Sequence, residues 1–199
     1  MKKIALFALL LTIGTVVAHA QESRQDFSIS ASGLIEPYVT STTDVKVSAK
    51  RGIGALFSYR FMLTPRGAVE ANYQYVQNNI HYVAPSYNYV VNTQLQEGSA
   101  AYVYNLTFRK FNPFVEAGGA ALIFYNVRNL QTTTLDVKSQ TIIAFLYGGG
   151  LAYELSPSFD IRAEYRAFVS KVPNFGDTAL STNQYYNIYN PTIGIAYHF

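Results

Sequence analysis

From residue 27 onward the chain alternates apolar and polar residues with a period of two, in segments of about ten residues, the repeat of β-strands. The last segment is the cleanest: Tyr189, Pro191, Ile193, Ile195, Tyr197 and Phe199 fall on one face, and Asn190, Thr192, Gly194, Ala196 and His198 on the other. Just before it, Phe159, Ile161, Ala163, Tyr165 and Ala167 alternate with Asp160, Arg162, Glu164, Arg166 and Phe168. Six further segments read the same way, near 27–32, 53–61, 69–76, 102–108, 115–123 and 143–154. Eight strands are therefore expected.

The links alternate in length as well. Leu63–Arg66, Arg109–Pro113 and Ser156–Ser158 are short and carry the Pro, Asn and Ser of tight turns. Links near 34–51, 78–96, 125–140 and 169–186 are each well over ten residues, which is unusual in a compact soluble domain. Tight turns on one rim and long loops on the other describe an outer-membrane barrel, with turns in the periplasm and loops outside the cell. A soluble lipocalin-type barrel has the same period with its apolar face inward. Three features favour lipid instead. The polar face is built mainly of Gly, Ala, Ser, Thr and Asn, small enough to fill an eight-stranded lumen. The apolar face carries most of the strand Tyr and Phe, too much volume for that lumen. Strands of about ten residues match the 9–11 that a tilted strand needs to cross a bilayer.

The first segment is of another kind. Met1-Lys2-Lys3 is basic, Ile4–Ala18 is a nearly continuous apolar run, and Ala18-His19-Ala20 places small residues where a signal peptidase reads. Residues 1–20 are expected to be a cleaved Sec signal and 21–199 the mature barrel. An N-terminal anchor is the alternative, but the run is short for a spanning helix of about 20 residues. The whole chain carries 15 Lys+Arg against 12 Asp+Glu. Loss of Lys2 and Lys3 brings the balance to about +1, which gives no electrostatic reason for a nucleic-acid partner. No cysteine is present, so disulfides and Cys-ligated metals are excluded. No cofactor is expected.

The ending Ile193-x-Ile195-x-Tyr197-x-Phe199 is similar to the terminal signature of bacterial outer-membrane proteins, and Tyr147–Arg166 resembles the sixth and seventh strands of the small OmpA- or OmpX-like β-barrel domains. The resemblance spans 21–199 and implies an all-β, eight-stranded, antiparallel, up-and-down transmembrane barrel. It also implies a Gram-negative-type outer membrane, periplasmic termini, outer-membrane lipid as surroundings, and a barrel-assembly machinery that reads the last aromatic residue. A monomer is expected. The chain departs from the family in lacking Trp, so Tyr must form both aromatic borders. With no peptidoglycan-binding domain after Phe199, wall anchoring is not implied.

The inward-facing charges Arg60, Glu70, Glu116, Glu154, Arg162, Glu164 and Arg166 are the most informative polar set. A narrow lumen cannot solvate them all, so pairing of Arg with Glu is expected. An ion-pair plug is one reading, and a charged constriction in a narrow pore for small solutes is the alternative. A rim enzyme acting on lipid is the third: outer-membrane barrel enzymes place a His with a Ser or Asp at the outer rim, and here only His81, with Ser86 nearby, lies in a long loop. Gly148-Gly149-Gly150 sits mid-strand and reads as relief of crowding or a bend in the wall, not a phosphate cradle. Asn105-Leu106-Thr107 forms a glycosylation triplet inside an expected membrane strand and is discounted. Stretches such as Tyr82–Tyr89 and Asn183–Asn187, rich in Tyr and Asn, suit adaptable surface contacts.

Overall fold

The computed structural model describes residues 24–40, 46–49, 51–84, 87–106, 108, 110–130, 138–176, 182 and 184–199. Its strands are β1 (Gln25–Leu34), β2 (Val39–Thr40), β3 (Lys46–Ala49), β4 (Gly52–Met62), β5 (Gly67–Ala84), β6 (Tyr87–Asn105), β7 (Phe111–Leu130), β8 (Gln140–Ser156), β9 (Phe159–Lys171) and β10 (Tyr185–His198). Eight of them, all but β2 and β3, form a closed antiparallel up-and-down barrel in which each strand pairs with its chain neighbours. Closure is made by β1 and β10, from Asp26↔His198 to Ser32↔Thr192.

The parity of each strand sorts its side chains. Phe27, Ile29, Phe57, Tyr59, Phe61, Tyr102, Phe145, Tyr147, Ile161, Tyr165, Ile193 and Ile195 are exposed on the outer wall. Ser28, Ser30, Ser32, Ser58, Asn72, Arg162 and Thr192 are buried inside. Rings gather at the short-turn border, where Phe159 and Tyr197 lie 5.1 Å apart, Tyr197 and Phe199 6.1 Å, and Phe111 and Tyr153 4.9 Å. Tyr and Phe thus make this border without Trp.

Two expectations change. The link placed at 78–96 is mostly strand: β5 runs to Ala84, β6 starts at Tyr87, and their ladder continues to Ala84↔Tyr87. Likewise β7 continues to Leu130, and the link at 34–51 contains β2 and β3, with β3 paired to the far end of β5. The reason is physical. Beyond the bilayer neither face of a strand must be apolar, so the ladder continues while the period-two signal fades. His81 accordingly lies in the β3–β5–β6 ladder rather than in a loop, and Ser86 lies outside the described residues.

The second change concerns the lumen. Its half toward the long links is not small and polar but packed with large apolar side chains, among them Leu34, Val76, Ile80, Leu95, Leu122, Phe124, Leu146, Phe168, Phe175 and Ile188. Polar groups fill the half toward the short turns. Phe175 closes the apolar half: its ring meets Phe124 edge-on at 6.4 Å, and the N–H groups of Asn174 and Phe175 donate to Gln140 Oε1 at 3.0 and 2.9 Å. These contacts hold Phe175 at φ 52°, a left-handed backbone uncommon for a bulky residue.

The closing seam can be tested by cross-linking, since the chain has no native cysteine. Ser28→Cys with Ala196→Cys, partners that both face the lumen, should form a disulfide on oxidation. Ser28→Cys with Tyr197→Cys, which point to opposite faces, should not. Gel mobility with and without reductant reads both pairs.

Candidate functional site

The charges of the lumen come from six strands. Arg60 on β4 and Glu70 on β5 are direct rung partners, so their side chains leave the wall side by side. Arg60 Nε donates to Glu70 Oε2 at 2.7 Å, and its Nη2 lies 2.6 Å from the same oxygen. Arg162 on β9 reaches across to β1, with Nη2 donating to Asp26 Oδ1 at 3.0 Å and Nη1 to Ser28 Oγ at 3.4 Å. Arg162 Nη1 also lies 3.5 Å from Glu70 Oε2. Two pleat repeats further along β9, Arg166 crosses the lumen to β6, where Nη2 donates to Glu97 Oε1 at 2.8 Å and to Ser99 Oγ at 3.0 Å.

Aromatic rings pack among the guanidiniums. Arg60 lies 4.6 Å and Arg162 5.9 Å from the ring centre of Phe114, and Arg166 5.3 Å from that of Phe168. Two glycines make the room. Gly148 and Gly150 face inward on β8, and a Cβ on Gly148 would stand 2.8 Å from Glu116 Oε1. A Cβ on Gly150 would stand 2.5 Å from Phe114 Cζ. Gly148 and Gly150 thus form the floor on which the side chains of Glu116 and Phe114 lie.

Among the described residues, this network sets three guanidiniums against five carboxylates. Each guanidinium has one carboxylate within 3.0 Å: Arg162 with Asp26, Arg60 with Glu70, and Arg166 with Glu97. Glu116 and Glu164 are left over. Glu116 lies 3.6 Å from Arg166 Nε, and Glu164 lies 3.8 Å from Arg162 Nε and 4.0 Å from Arg60 Nη2. Thr192 Oγ1 donates to Glu164 Oε2 at 3.5 Å.

Six of the seven charges singled out from the sequence therefore meet in one network, and Glu154 does not. It lies half-buried near the β8–β9 turn, and among the described residues no cation is within ion-pair distance of it. Asp26 and Glu97 were missed. Each lies on the inward parity of a strand that runs further than expected: Asp26 precedes Ser28, Ser30 and Ser32, and Glu97 precedes Ser99, Ala101 and Val103. Counting by twos beyond the apolar stretch finds both. Asn105 also faces the lumen and accepts a long 3.5 Å bond from Arg60 Nη1. In the terminal motif, Ile193, Ile195, Tyr197 and Phe199 are all on the outer wall, and His198 turns inward with Nε2 2.9 Å from Asp160 Oδ2. Below the network the short-turn mouth holds a cavity of about 190 Å³ bordered by Asp26, Arg60, Asn105, Asp160, Arg162 and His198.

The model of the outer membrane protein beta-barrel domain family matches residues 6–199. The chain belongs to this outer-membrane β-barrel family. As a member it is an integral protein of a bacterial outer membrane, surrounded by outer-membrane lipid. Solved structures agree on the fold. The outer membrane protein OprG from Pseudomonas aeruginosa superposes with a TM-score of 0.68 at 12% identity, over 89% of this chain and 97% of that one. Neisserial surface protein A (NspA) gives 0.61 at 16% identity, over 89% and 98%. The N-terminal β-barrel domain of Pseudomonas aeruginosa OprF gives 0.51 at 18% identity, over 90% and 100%. No curated protein sequence matches the chain.

The geometry ranks substitutions in this family member. Arg162→Ala strips Asp26 and Glu70 of a partner and should lower unfolding stability by about 3–5 kcal/mol. Glu97→Gln should be destabilising, because Arg166 loses its closest counter-charge. Glu116→Gln, which removes a surplus carboxylate, should lie within about 1 kcal/mol of the parent or above it, and Glu154→Gln within about 0.5 kcal/mol. Urea midpoints of the barrel refolded in lipid vesicles measure all four, and a loss with Glu116→Gln as large as with Glu97→Gln would contradict the assignment.

Proposed function

We propose that this protein is a monomeric, non-enzymatic surface barrel: its lumen is closed by the ion pairs and the apolar packing above them, and its working part is the tall side of its wall. One observation carries the reading. β5, β6 and β7 have 18, 19 and 20 residues, where β1 and β4 have 10 and 11. A bilayer needs only 9–11, so three adjacent strands, with β2 and β3 added to their edge, project roughly 25 Å of extended chain beyond it. A wing of that length is a contact surface, and its sequence is rich in Tyr, Asn, Val and Thr.

On this reading residues 1–20 are a secretion signal removed before folding, 21–199 is the barrel, and the short turns and both termini face the periplasm. The terminal Ile193, Ile195, Tyr197 and Phe199 are the segment read by the assembly machinery. The charges of the lumen brace the wall rather than line a path for solutes, since an eight-stranded barrel is just wide enough to be filled by its side chains. No cofactor and no nucleic acid enters the role.

Two experiments test the proposal. On intact cells a membrane-impermeant maleimide should label Asn88→Cys, at the tip of the wing, and spare Lys110→Cys at a short turn; the reverse pattern would invert the orientation. In planar bilayers the purified barrel should give no discrete conductance steps, and steady steps would restore the pore. A third outcome concerns assembly. Deletion of Phe199 should reduce the yield of folded barrel in cells severalfold, read as the band that shifts on heating, and an unchanged yield would remove the terminal segment from that role.

A further inference from the structure

The wall is not paired along its whole height. The β8–β9 ladder reaches only to Phe145↔Val169, although β8 begins at Gln140 and β9 runs on to Lys171. Past that rung, Gln140 to Ala144 pair with β7 alone, and Ser170 and Lys171 with β10 alone. Two strand edges therefore stand apart there. Hydrocarbon cannot satisfy the N–H and C=O groups of such edges.

The parting opens into a cavity of about 410 Å³, within the range of roughly 300–1,000 Å³ that ligand sites occupy. Gln140, Ile142 and Ile143 form one side, and Lys171, Val172 and Tyr185 the other. Its height in the membrane can be read from the outer face of β9. Phe159, Ile161, Ala163, Tyr165, Ala167 and Val169 precede Lys171, the first charge on that face. On β8 the outward row ends with Phe145, Ile143 and then Thr141. The cavity thus straddles the border of the apolar band, greasy below and polar above.

Its chemistry is one-sided. Ile143 is 76% exposed on the outer wall. The Lys171 ammonium lies 5.7 Å from the ring centre of Tyr185, and among the described residues no carboxylate is within ion-pair distance of it. Lys138, exposed on the same rim, is placed there by its N–H bond to the Phe175 carbonyl at 3.1 Å. Behind the cavity Phe175 and Gln140 close off the lumen. The opening therefore faces the membrane.

We propose that this parting is a binding site for a phosphate-bearing membrane lipid, with an acyl chain on Ile143 and Val172 and the headgroup phosphate at Lys171. The lipid supplies what each half of the cavity lacks. Its phosphate gives Lys171 the anionic partner that none of the described residues supplies, and its headgroup oxygens can accept from strand N–H groups that have no neighbouring strand. Its chain covers the apolar floor. A free phosphate ion would meet a partly exposed ammonium and leave that floor bare. The inference is independent of what the wing contacts.

The absence of Trp makes the site easy to read, because Ile143→Trp creates the sole tryptophan in the chain. The full barrel is refolded into phosphatidylcholine vesicles containing a minor fraction of brominated phosphatidylglycerol, whose bromines quench indole on contact. Quenching at this position should exceed that of a Leu151→Trp control, on the same outward face near the other border, by roughly threefold, the size of one partly exposed charge contact. Lys171→Gln in the Ile143→Trp background should remove the excess, and Lys171→Arg should keep it. Equal quenching at the two positions, or indifference to Lys171→Gln, overturns the site. Relief of quenching by inorganic phosphate would assign it to a free anion and overturns the lipid. Unheated gel mobility confirms folding of each variant, and Tyr185→Trp replaces Ile143→Trp as reporter if the latter does not fold.

Discussion

A bilayer offers no hydrogen-bond partners, and that constraint governs the rest of the molecule. Every N–H and C=O in the spanning wall must find another strand, so the first strand has to meet the last. The seam from Asp26↔His198 to Ser32↔Thr192 meets that demand. Once the sheet is closed, the pleat divides residues into two rows, and solvent preference fixes which row faces out. A slip of one residue at any ladder would move Arg60, Glu70, Arg162 or Arg166 into hydrocarbon, so the charges specify register even where their net contribution to stability is small.

Inside the closed wall the lumen is filled in two layers that solve different problems. Toward the short turns, ionised groups are held by one another: Arg60 with Glu70, Arg162 with Asp26, Arg166 with Glu97. Toward the long links, Leu, Ile, Val and Phe dominate the packing, with Tyr186 and the buried Ser170 among them, and Phe175 adopts a left-handed backbone to complete it. The layers meet at Phe168, whose ring touches the apolar cluster and stacks under Arg166. Gly148 and Gly150 are part of the same arrangement, since side chains there would displace Glu116 and Phe114.

The sequence made the fold and most of the charged network legible for one reason: lipid on one side and a packed lumen on the other enforce strict alternation. The same reason explains where reading fails. Past the bilayer the outer face is free to be polar, so the far ends of β5, β6 and β7 carry no period-two signature and read as loops, with Glu97 at the edge of one of them. Glu154 shares the inward row as the rung partner of buried Asp160, but beside the β8–β9 turn it meets, among the described residues, none of the arginines of the network. The apolar layer is legible only in part: Leu122, Leu146 and Phe168 stand on inward rows, whereas Leu34, Leu95 and Phe175 lie in stretches that read as links. The parting between β8 and β9 depends on pairing across strands, which no single strand's pattern records.

The distribution of the arginines has a consequence for how the molecule is completed. Of the three network arginines among the described residues, Arg162 and Arg166 sit on the penultimate strand, while their closest counter-charges, Asp26 and Glu97, belong to the first strand and the middle of the chain. An open curl of the same sheet, lacking only its last junction, would leave those charges stranded on a concave surface beside fatty acyl chains. Half-built forms are thereby penalised twice, along the edge and within the bowl, and the molecule has strong reason to exist either as a finished cylinder or not in the bilayer at all.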